Sequence, residues 1–308
     1  MKILAPAKIN IVLRVLGRRP DGYHDLFMLN EKLTVADEIT IEAGNHASCV
    51  MPHASDIPIT ITCDDASVPC DETNICHKVA KAILCQQGQS DQQCRQSIKI
   101  HIKKNIPVAA GLGGGSSDGA AVLKGINEIL DLKLSNENLA EIGVKLGADV
   151  PLFLYDGPAI CEGIGDKITT LKKLPNMWIL LVNPNFPVST KWVYEEFDKL
   201  QGLQLTEQNQ GVSSLPSPAE DLLAGRDFKG LDDLAKVVHN DLELVTVAKY
   251  PEIGEIKKMI KGRGAVHSWM SGSGPTVVGM FENEKMCHVA AEKMRAHDPS
   301  WLVIETQN

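Results

Sequence analysis

The chain has 308 residues, with 31 Lys and Arg against 39 Asp and Glu, for a net charge of −8. That balance argues against nucleic-acid binding and against a polybasic membrane anchor, both of which need a basic surface. At about 100–200 residues per domain the length predicts two domains, and 44% hydrophobic with 23% charged residues is ordinary for a folded protein.

Apolar runs are strand-sized, and Lys8, Asn10 and Arg14 interrupt what would be a leader's hydrophobic stretch, so a cytoplasmic protein is expected. The eight cysteines show no Cys-x-x-Cys and no paired His spacing. They are read as thiols with no assigned role rather than as a zinc or disulfide framework.

Ile9, Ile11, Leu13 and Val15 alternate with Lys8, Asn10, Val12 and Arg14. This period of two predicts a half-buried strand over 8–15 that sets Lys8 and Asn10 side by side on one face. Gly17 to Gly22 reads as a turn. Strands follow at 38–42 and 57–63. Thr73-Asn74 can cap a helix carrying Ile75, Val79 and Ile83, residues 86–97 read as a polar loop, and Ile98, Ile100 and Ile102 mark a strand. Leu123, Ile126 and Leu130 predict a helix after a glycine-rich segment. Leu139, Ile142 and Leu146 predict another near 136–146, closed by Gly147. Val150 precedes Pro151, so the chain is expected to leave that helix extended.

In the second half, 177–183 and 276–281 read as strands and 201–220 as a polar surface insertion. Leu231, Leu234, Val238, Leu242 and Val245 predict one helix, and Ile253, Ile256 and Ile260 another. Strands and helices mix without strict alternation, which predicts an α+β fold. The Asp156-Gly157-Pro158 turn is the expected boundary, dividing 1–157 from 158–308.

The segment Pro107 to Ala121, PVAAGLGGGSSDGAA, holds Gly111, Gly113, Gly114 and Gly115. Such glycines build no core, but they let backbone N–H groups approach an anion, and the following helix aims its N-terminus at the same spot. A flexible linker is the alternative, but a linker needs neither the strand before nor the amphipathic helix after. The loop is not a Walker A motif, since no Lys-Ser/Thr follows the glycines, and it lacks the third Gly and βαβ setting of a dinucleotide fingerprint. It reads as a nucleotide-phosphate loop of a third kind.

Four blocks carry a family resemblance. They are Ala5-Pro-Ala-Lys8-Ile-Asn10 with Asp21-Gly-Tyr-His24; the loop 107–121; Leu146-Gly-Ala-Asp149-Val-Pro151; and Met270-Ser-Gly-Ser-Gly-Pro-Thr276. Asn240-Asp-Leu-Glu243 and Tyr250-Pro-Glu252 fit as well. The chain resembles the GHMP small-molecule kinases, whose mark is a Pro-x3-Gly-Leu-Gly-Ser-Ser-like loop. The first block is similar to that of members acting on a cytidyl-diphospho sugar alcohol; the glycine loop alone gives only the superfamily. The resemblance implies a two-domain fold: an N-terminal ATP-binding domain of the ribosomal-S5-domain-2-like kind and a C-terminal ferredoxin-like domain, with the active site in the cleft. It also implies ATP-dependent phosphorylation of a 2-hydroxyl, with Mg²⁺, in the non-mevalonate isoprenoid pathway.

By the same resemblance, Asp149 accepts the proton of the substrate hydroxyl; without it, the residue would be read as a helix-end cap. Lys8 is implied to lie close to Asp149 and the transferring phosphoryl group, where a cation stabilises developing charge; otherwise it is a solvated Lys on a strand's polar face. Asn10 would bind the sugar alcohol or a phosphate. Tyr23 would stack on the cytosine and His24 would hydrogen-bond it, against core packing for the one and a surface turn for the other. Thr190 is a substrate candidate from the C-terminal half. Gly272, Ser273 and Gly274 would close on substrate and phosphate, and a tight hairpin turn is compatible with that. Asn74 and Lys104 would line the purine pocket, Lys104 being otherwise a strand-end charge. Pro107, Gly111, Gly113, Gly114, Gly115, Ser116 and Ser117 would hold the nucleotide, with Ser117 also touching the metal.

Two other functions compete. A GHMP kinase acting on homoserine or a sugar has no use for the Asp-Gly-Tyr-His block. A catalytically silent nucleotide-binding regulator has no need to keep both Lys8 and Asp149. The expected partner is a small molecule, with no nucleic acid and no membrane.

Overall fold

The computed structural model describes residues 1–45, 58–85, 96–207 and 227–308. Most of the predicted loop at 86–97 and of the insertion at 201–220 lies outside the described residues. Within them, 96–97 belong to a strand and 201–207 to a helix.

Two strands open the chain, β1 (Lys2–Arg18) and β2 (His24–Asn45), of 17 and 22 residues. At about 3.3 Å per residue, neither fits inside one small body, and each feeds two. The first compact unit takes Met1–Ala7, Val35–Val108 and Gly113–Asp156; the second takes Lys8–Thr34, Ala109–Leu112 and Gly157–Asn308. The chain passes between units at Asp156/Gly157, the turn singled out in the sequence, but also within β1, within β2 and on both sides of Ala109–Leu112. The second unit is therefore not a contiguous C-terminal half.

In the first unit, β3 (Ile59–Cys63) runs parallel to β4 (Gln96–Lys103), and β4 is antiparallel to residues 38–45 of β2. Ile39, Ile41, Ile98, Ile100 and Ile102 are buried, as their alternation requires. α1 (Ile75–Cys85), α2 (Gly114–Ile129) and α3 (Asn136–Gly143) pack on one another. Asn74 caps α1, its Oδ1 accepting from the Cys76 N–H at 2.8 Å, and Ser135 with Asn138 forms a capping box on α3. α3 ends earlier than its apolar spacing suggests: beyond Val144 the Leu146 N–H turns back three residues to the Gly143 carbonyl, tightening the last turn. Val150 is helical, not extended, with φ −58° and ψ −44°. Pro151 opens a buried 3₁₀ turn (Pro151–Leu154), a position where its missing N–H costs nothing.

In the second unit, residues 26–30 of β2 pair antiparallel with β5 (Ala159–Gly163), and β5 with β6 (Lys167–Thr170). A four-stranded antiparallel sheet has the order β11 (Leu302–Gln307), β7 (Trp178–Asn183), β10 (Val277–Phe281), β9 (His267–Met270). α4 (Thr190–Glu207) follows β7, and α5 (Leu231–Ala235), α6 (Glu243–Lys249) and α7 (Pro251–Gly262) precede β9. α8 (Glu284–His297) links β10 to β11. This is the βαββαβ plan of a ferredoxin-like domain. Its core includes Leu180, Val182, Ile253, Ile256, Ile260, Phe281 and Met294. The single helix predicted over 231–245 is broken into α5 and α6. Between them, β8 (His239–Asn240) pairs parallel with Val12 and Leu13 of β1, so pairing to the long strand overrides the helical spacing. Among the described residues no helix is long and apolar enough to cross a membrane.

Candidate active site

Lys8 is 5% exposed and Asn10 fully buried. A buried ammonium needs partners, and the Lys8 Nζ donates to Asn10 Oδ1 at 2.7 Å. The period-two spacing put the two on one face, and that face is buried. Around them the second unit gathers the other glycine-bearing segments. The Lys8 N–H donates to the Leu112 carbonyl at 2.9 Å. The Asn10 N–H donates to Ser271 Oγ at 3.4 Å, and Ser271 Oγ donates to the Gly111 carbonyl at 3.2 Å. The Trp269 indole donates to the Asn10 carbonyl at 2.7 Å. Asn240 Nδ2 donates to the carbonyls of Met270 and Gly272, fixing the turn at 271–274. Thr190 Oγ1 lies 2.8 Å from Ser273 Oγ. Lys8, Asn10, Gly111, Thr190, Gly272 and Ser273 are thus linked through one set of contacts, as a common site would require.

The first unit holds the start of α2, the helix that follows the glycine-rich loop. Gly113 caps α2 in the left-handed region, with φ 72° and no side-chain cap bond. The N–H groups of the first turn are therefore left for another acceptor. Gly114 and Ser116 are half-buried and Gly115 is exposed; Pro107, just before the loop, is half-buried. The Ser117 hydroxyl is buried and has no hydrogen-bond partner within the described structure. An unsatisfied buried hydroxyl costs about 1–3 kcal/mol, and its place in the first turn fits a group completed by a bound ligand. Among the described residues, no cluster of three or more His, Cys, Asp or Glu could hold a metal. A Mg²⁺ here would draw its ligands chiefly from nucleotide phosphates and water, with Ser117 Oγ as the protein's contribution.

Lys104 is not a solvated strand-end charge. Its side chain is 8% exposed and its Nζ pairs with Asp37 and, at 2.9 Å, with Asp118 Oδ2. Asp37 also accepts from the N–H groups of Asn105 and Ile106. Burial pushes the Asp118 carboxyl up to about 7, against the attraction of Lys104 and with the repulsion of Asp37. Burial opposes the charge on Lys104, but the two carboxylates together hold it above its ordinary value. A Cβ on Gly114 would lie 3.4 Å from the Lys104 Nζ, so this triad sits directly beneath the start of α2. Asn74, besides capping α1, donates from Nδ2 to the Pro69 carbonyl at 2.6 Å, so its amide shapes the loop ahead of the helix. Asp149 is half-buried in the turn between α3 and Pro151, a turn closed by the Val150 N–H on the Gly147 carbonyl.

In the second unit, Tyr23 is 60% exposed, which removes the core-packing reading of it. His24 stacks on Tyr194 at 4.7 Å, and its Nε2 lies 2.7 Å from Asp198 Oδ1. A carboxylate only accepts, so Nε2 carries the hydrogen of this bond, and Nδ1 is left for another partner. His24 is thus anchored rather than loose in a surface turn. The sequence reading missed Tyr194 and Asp198 on α4, Asn30 on β2, and the Asp37–Lys104–Asp118 triad. Asn30 carried a signal: it interrupts the alternating apolar positions Leu26 and Met28.

Known proteins share this architecture, and their sequences align with nearly the whole chain. The family description "GHMP kinases N terminal domain" matches residues 74–157, and "GHMP kinases C terminal" matches 219–299. The 4-diphosphocytidyl-2-C-methyl-D-erythritol kinase of Geobacter metallireducens is 44% identical over 99% of this chain and 97% of its own length. That of Citrifermentans bemidjiense is 45% identical over 96% and 95%. A crystal structure of 4-(cytidine 5'-diphospho)-2C-methyl-D-erythritol kinase superposes with a TM-score of 0.74 at 28% identity, covering 100% of this chain and 99% of that one. A homoserine kinase from Cytophaga hutchinsonii, at 19% identity and a TM-score of 0.70, shares the fold. The chain belongs to the GHMP kinases and, among them, to the 4-diphosphocytidyl-2-C-methyl-D-erythritol kinase family of phosphotransferases.

Proposed function

We propose that the protein transfers the γ-phosphoryl group of ATP to the 2-hydroxyl of 4-diphosphocytidyl-2-C-methyl-D-erythritol, a step of the non-mevalonate isoprenoid route. The observation that carries this is the 44% identity running over 99% of the chain to a kinase of that name. In the reaction the substrate oxygen bonds to the γ-phosphorus, the bond from that phosphorus to the β,γ-bridging oxygen breaks, and ADP leaves. The hydroxyl proton goes to Asp149. Lys8, fixed against Asn10, faces the charge that develops on the transferring group, where a desolvated cation is most effective. Asn10 hydrogen-bonds the sugar alcohol or a phosphate oxygen, and Thr190 with the turn Gly272–Gly274 borders the same substrate. Tyr23 stacks on the cytosine, and His24 Nδ1 accepts from its exocyclic amine. The α2 N-terminus, from Gly113 to Ser117, takes the ATP phosphates, with Pro107 and Gly111 shaping the loop that leads to it. Asn74 and Lys104 back the purine side. Mg²⁺, when bound, would neutralise phosphate charge, and Ser117 Oγ is the group of this chain that would help to hold it. Residues 1–157 and 158–308 remain the two functional halves of this proposal, although Lys8–Thr34 packs with the second.

ADP release tests the proposal, with 4-diphosphocytidyl-2-C-methyl-D-erythritol, homoserine, mevalonate and galactose compared under ATP and Mg²⁺. Turnover with the cytidyl substrate alone, falling about 10²–10⁴-fold in Asp149→Asn with ATP binding retained, is the expected result. Turnover with another alcohol instead would overturn the substrate assignment. ATP binding without turnover on any of them would favour a regulator.

A further inference from the structure

A chain of buried side chains continues behind Lys8 and Asn10, and the reaction as proposed gives its further members, Asn30 and Cys161, no role. Lys8 Nζ donates to Asn10 Oδ1 at 2.7 Å. Asn10 Nδ2 donates to Asn30 Oδ1 at 2.7 Å, with Met28 Sδ at 3.6 Å beside it. Asn30 Nδ2 in turn donates to Cys161 Sγ at 3.1 Å. Asn10 and Asn30 are 0% and 1% exposed, and Cys161 is 1%.

The direction of every bond follows from the first. An ammonium only donates, so Asn10 must present its oxygen to Lys8. Its amide NH₂ then points away and needs an acceptor, which Asn30 Oδ1 supplies. That fixes the Asn30 amide as well, turning its NH₂ onto the thiol sulfur of Cys161. Met28 and Asn30 lie on one face of β2, and Cys161 lies opposite Met28 on β5. An apolar residue at position 30 would continue the buried face of Leu26 and Met28 with less desolvation. Without the Asn30 oxygen, the buried Asn10 NH₂ loses its main acceptor, and the amide is held from the Lys8 side alone.

We propose that Asn30 is a positioning residue of this kinase: by fixing the orientation of the Asn10 amide it holds the Lys8 ammonium in place. Asn30 touches neither nucleotide nor substrate and acts through Asn10. The effect on catalysis rests on the role given to Lys8 above; the relay itself does not.

Two variants and one spectroscopic signal test it. Asn30→Leu keeps the volume and removes the acceptor. Asn30→Asp keeps an acceptor oxygen opposite Asn10. In Asn30→Leu, kcat should fall about 10- to 100-fold while the KM for ATP stays within about twofold, as expected when a group acts mainly in the transition state. Asn30→Asp should recover kcat to within about threefold of wild type. A folded Asn30→Leu enzyme with wild-type kcat, or an Asn30→Asp enzyme as impaired as Asn30→Leu, would overturn the proposal. Selective ¹⁵N-asparagine labelling reads the relay without substrate. The Asn10 side-chain amide protons should exchange slowly in the wild type, whatever the folding of the Leu variant. Rapid exchange would overturn the relay. Slow exchange in a protein that phosphorylates no cytidyl substrate would instead refute the proposed function and leave the relay standing.

Discussion

Gly111 and Ser271 meet backbone to backbone: a Cβ on Gly111 would lie 2.6 Å from the Ser271 carbonyl oxygen, and Gly111 has φ +77°. The Ser271 hydroxyl answers by donating to the Gly111 carbonyl at 3.2 Å. The two glycine-bearing segments, 160 residues apart in sequence, are thus joined where a side chain cannot intervene. Gly111→Ala should lower stability by about 2–3 kcal/mol, from the steric conflict and the left-handed backbone together. It should also raise the KM for ATP. Thermal unfolding and ATP titration check both.

Ser117→Ala separates function from stability. The Ser117 hydroxyl has no partner within the described structure, so its loss removes no internal bond. Stability should hold or rise slightly. The Mg²⁺ concentration for half-maximal rate should rise about tenfold, the worth of one hydrogen bond to a charged ligand shell. A magnesium titration of the rate, beside a melting curve, is the measurement.

Asp118 gives the protein a pH-dependent stability of definite sign. Its carboxyl is pushed up to about 7 in the fold, from an ordinary 3.8, chiefly by burial. The folded chain therefore keeps a proton that the unfolded chain gives up. This contribution is complete below the ordinary value and is lost as pH rises through the folded one. Asp118→Asn removes the titration and leaves Lys104 matched to Asp37 alone. At pH 8 the variant should melt about 2–4 °C above wild type, a gap that narrows toward pH 4. Melting curves across that range test it, and parallel curves for the two proteins would contradict it.

Tyr23 is exposed and carries no packing load. Tyr23→Ala should leave stability within about 0.5 kcal/mol of wild type. Stacking on a base is worth about 1–3 kcal/mol, so the KM for the cytidyl substrate should rise about 5- to 150-fold with the KM for ATP unchanged. Steady-state kinetics with each substrate varied in turn separates the two.

Much of the fold was readable because its signals are local. Alternating isoleucines marked β1 and β4, Asn74 marked the start of α1, and the glycines marked the loop before α2. What failed was set by distant partners. The apolar spacing from Leu231 to Val245 is helical, yet pairing of His239 and Asn240 with β1 breaks it. Val150 before Pro151 should favour extended backbone, yet the proline opens a buried 3₁₀ turn. The candidate site divides the same way. Lys8 and Asn10 could be placed on one face from periodicity alone. The carboxylates that hold Lys104 come from positions 37 and 118, and the anchors of His24 from 194 and 198, and no local pattern announces such pairings. The turn at 157 was legible as one crossing between units, but the crossings within the long strands, which carry residues such as Lys8 into the second unit, have no local mark.

The most direct measurement is ³¹P NMR of a reaction containing the purified protein, ATP, Mg²⁺ and 4-diphosphocytidyl-2-C-methyl-D-erythritol. A new phosphomonoester resonance coupled to the substrate's C2, growing as ATP converts to ADP and absent with Asp149→Asn, is the predicted result. ADP formed with inorganic phosphate alone, or a phosphoryl group on another hydroxyl, would contradict transfer to the 2-hydroxyl.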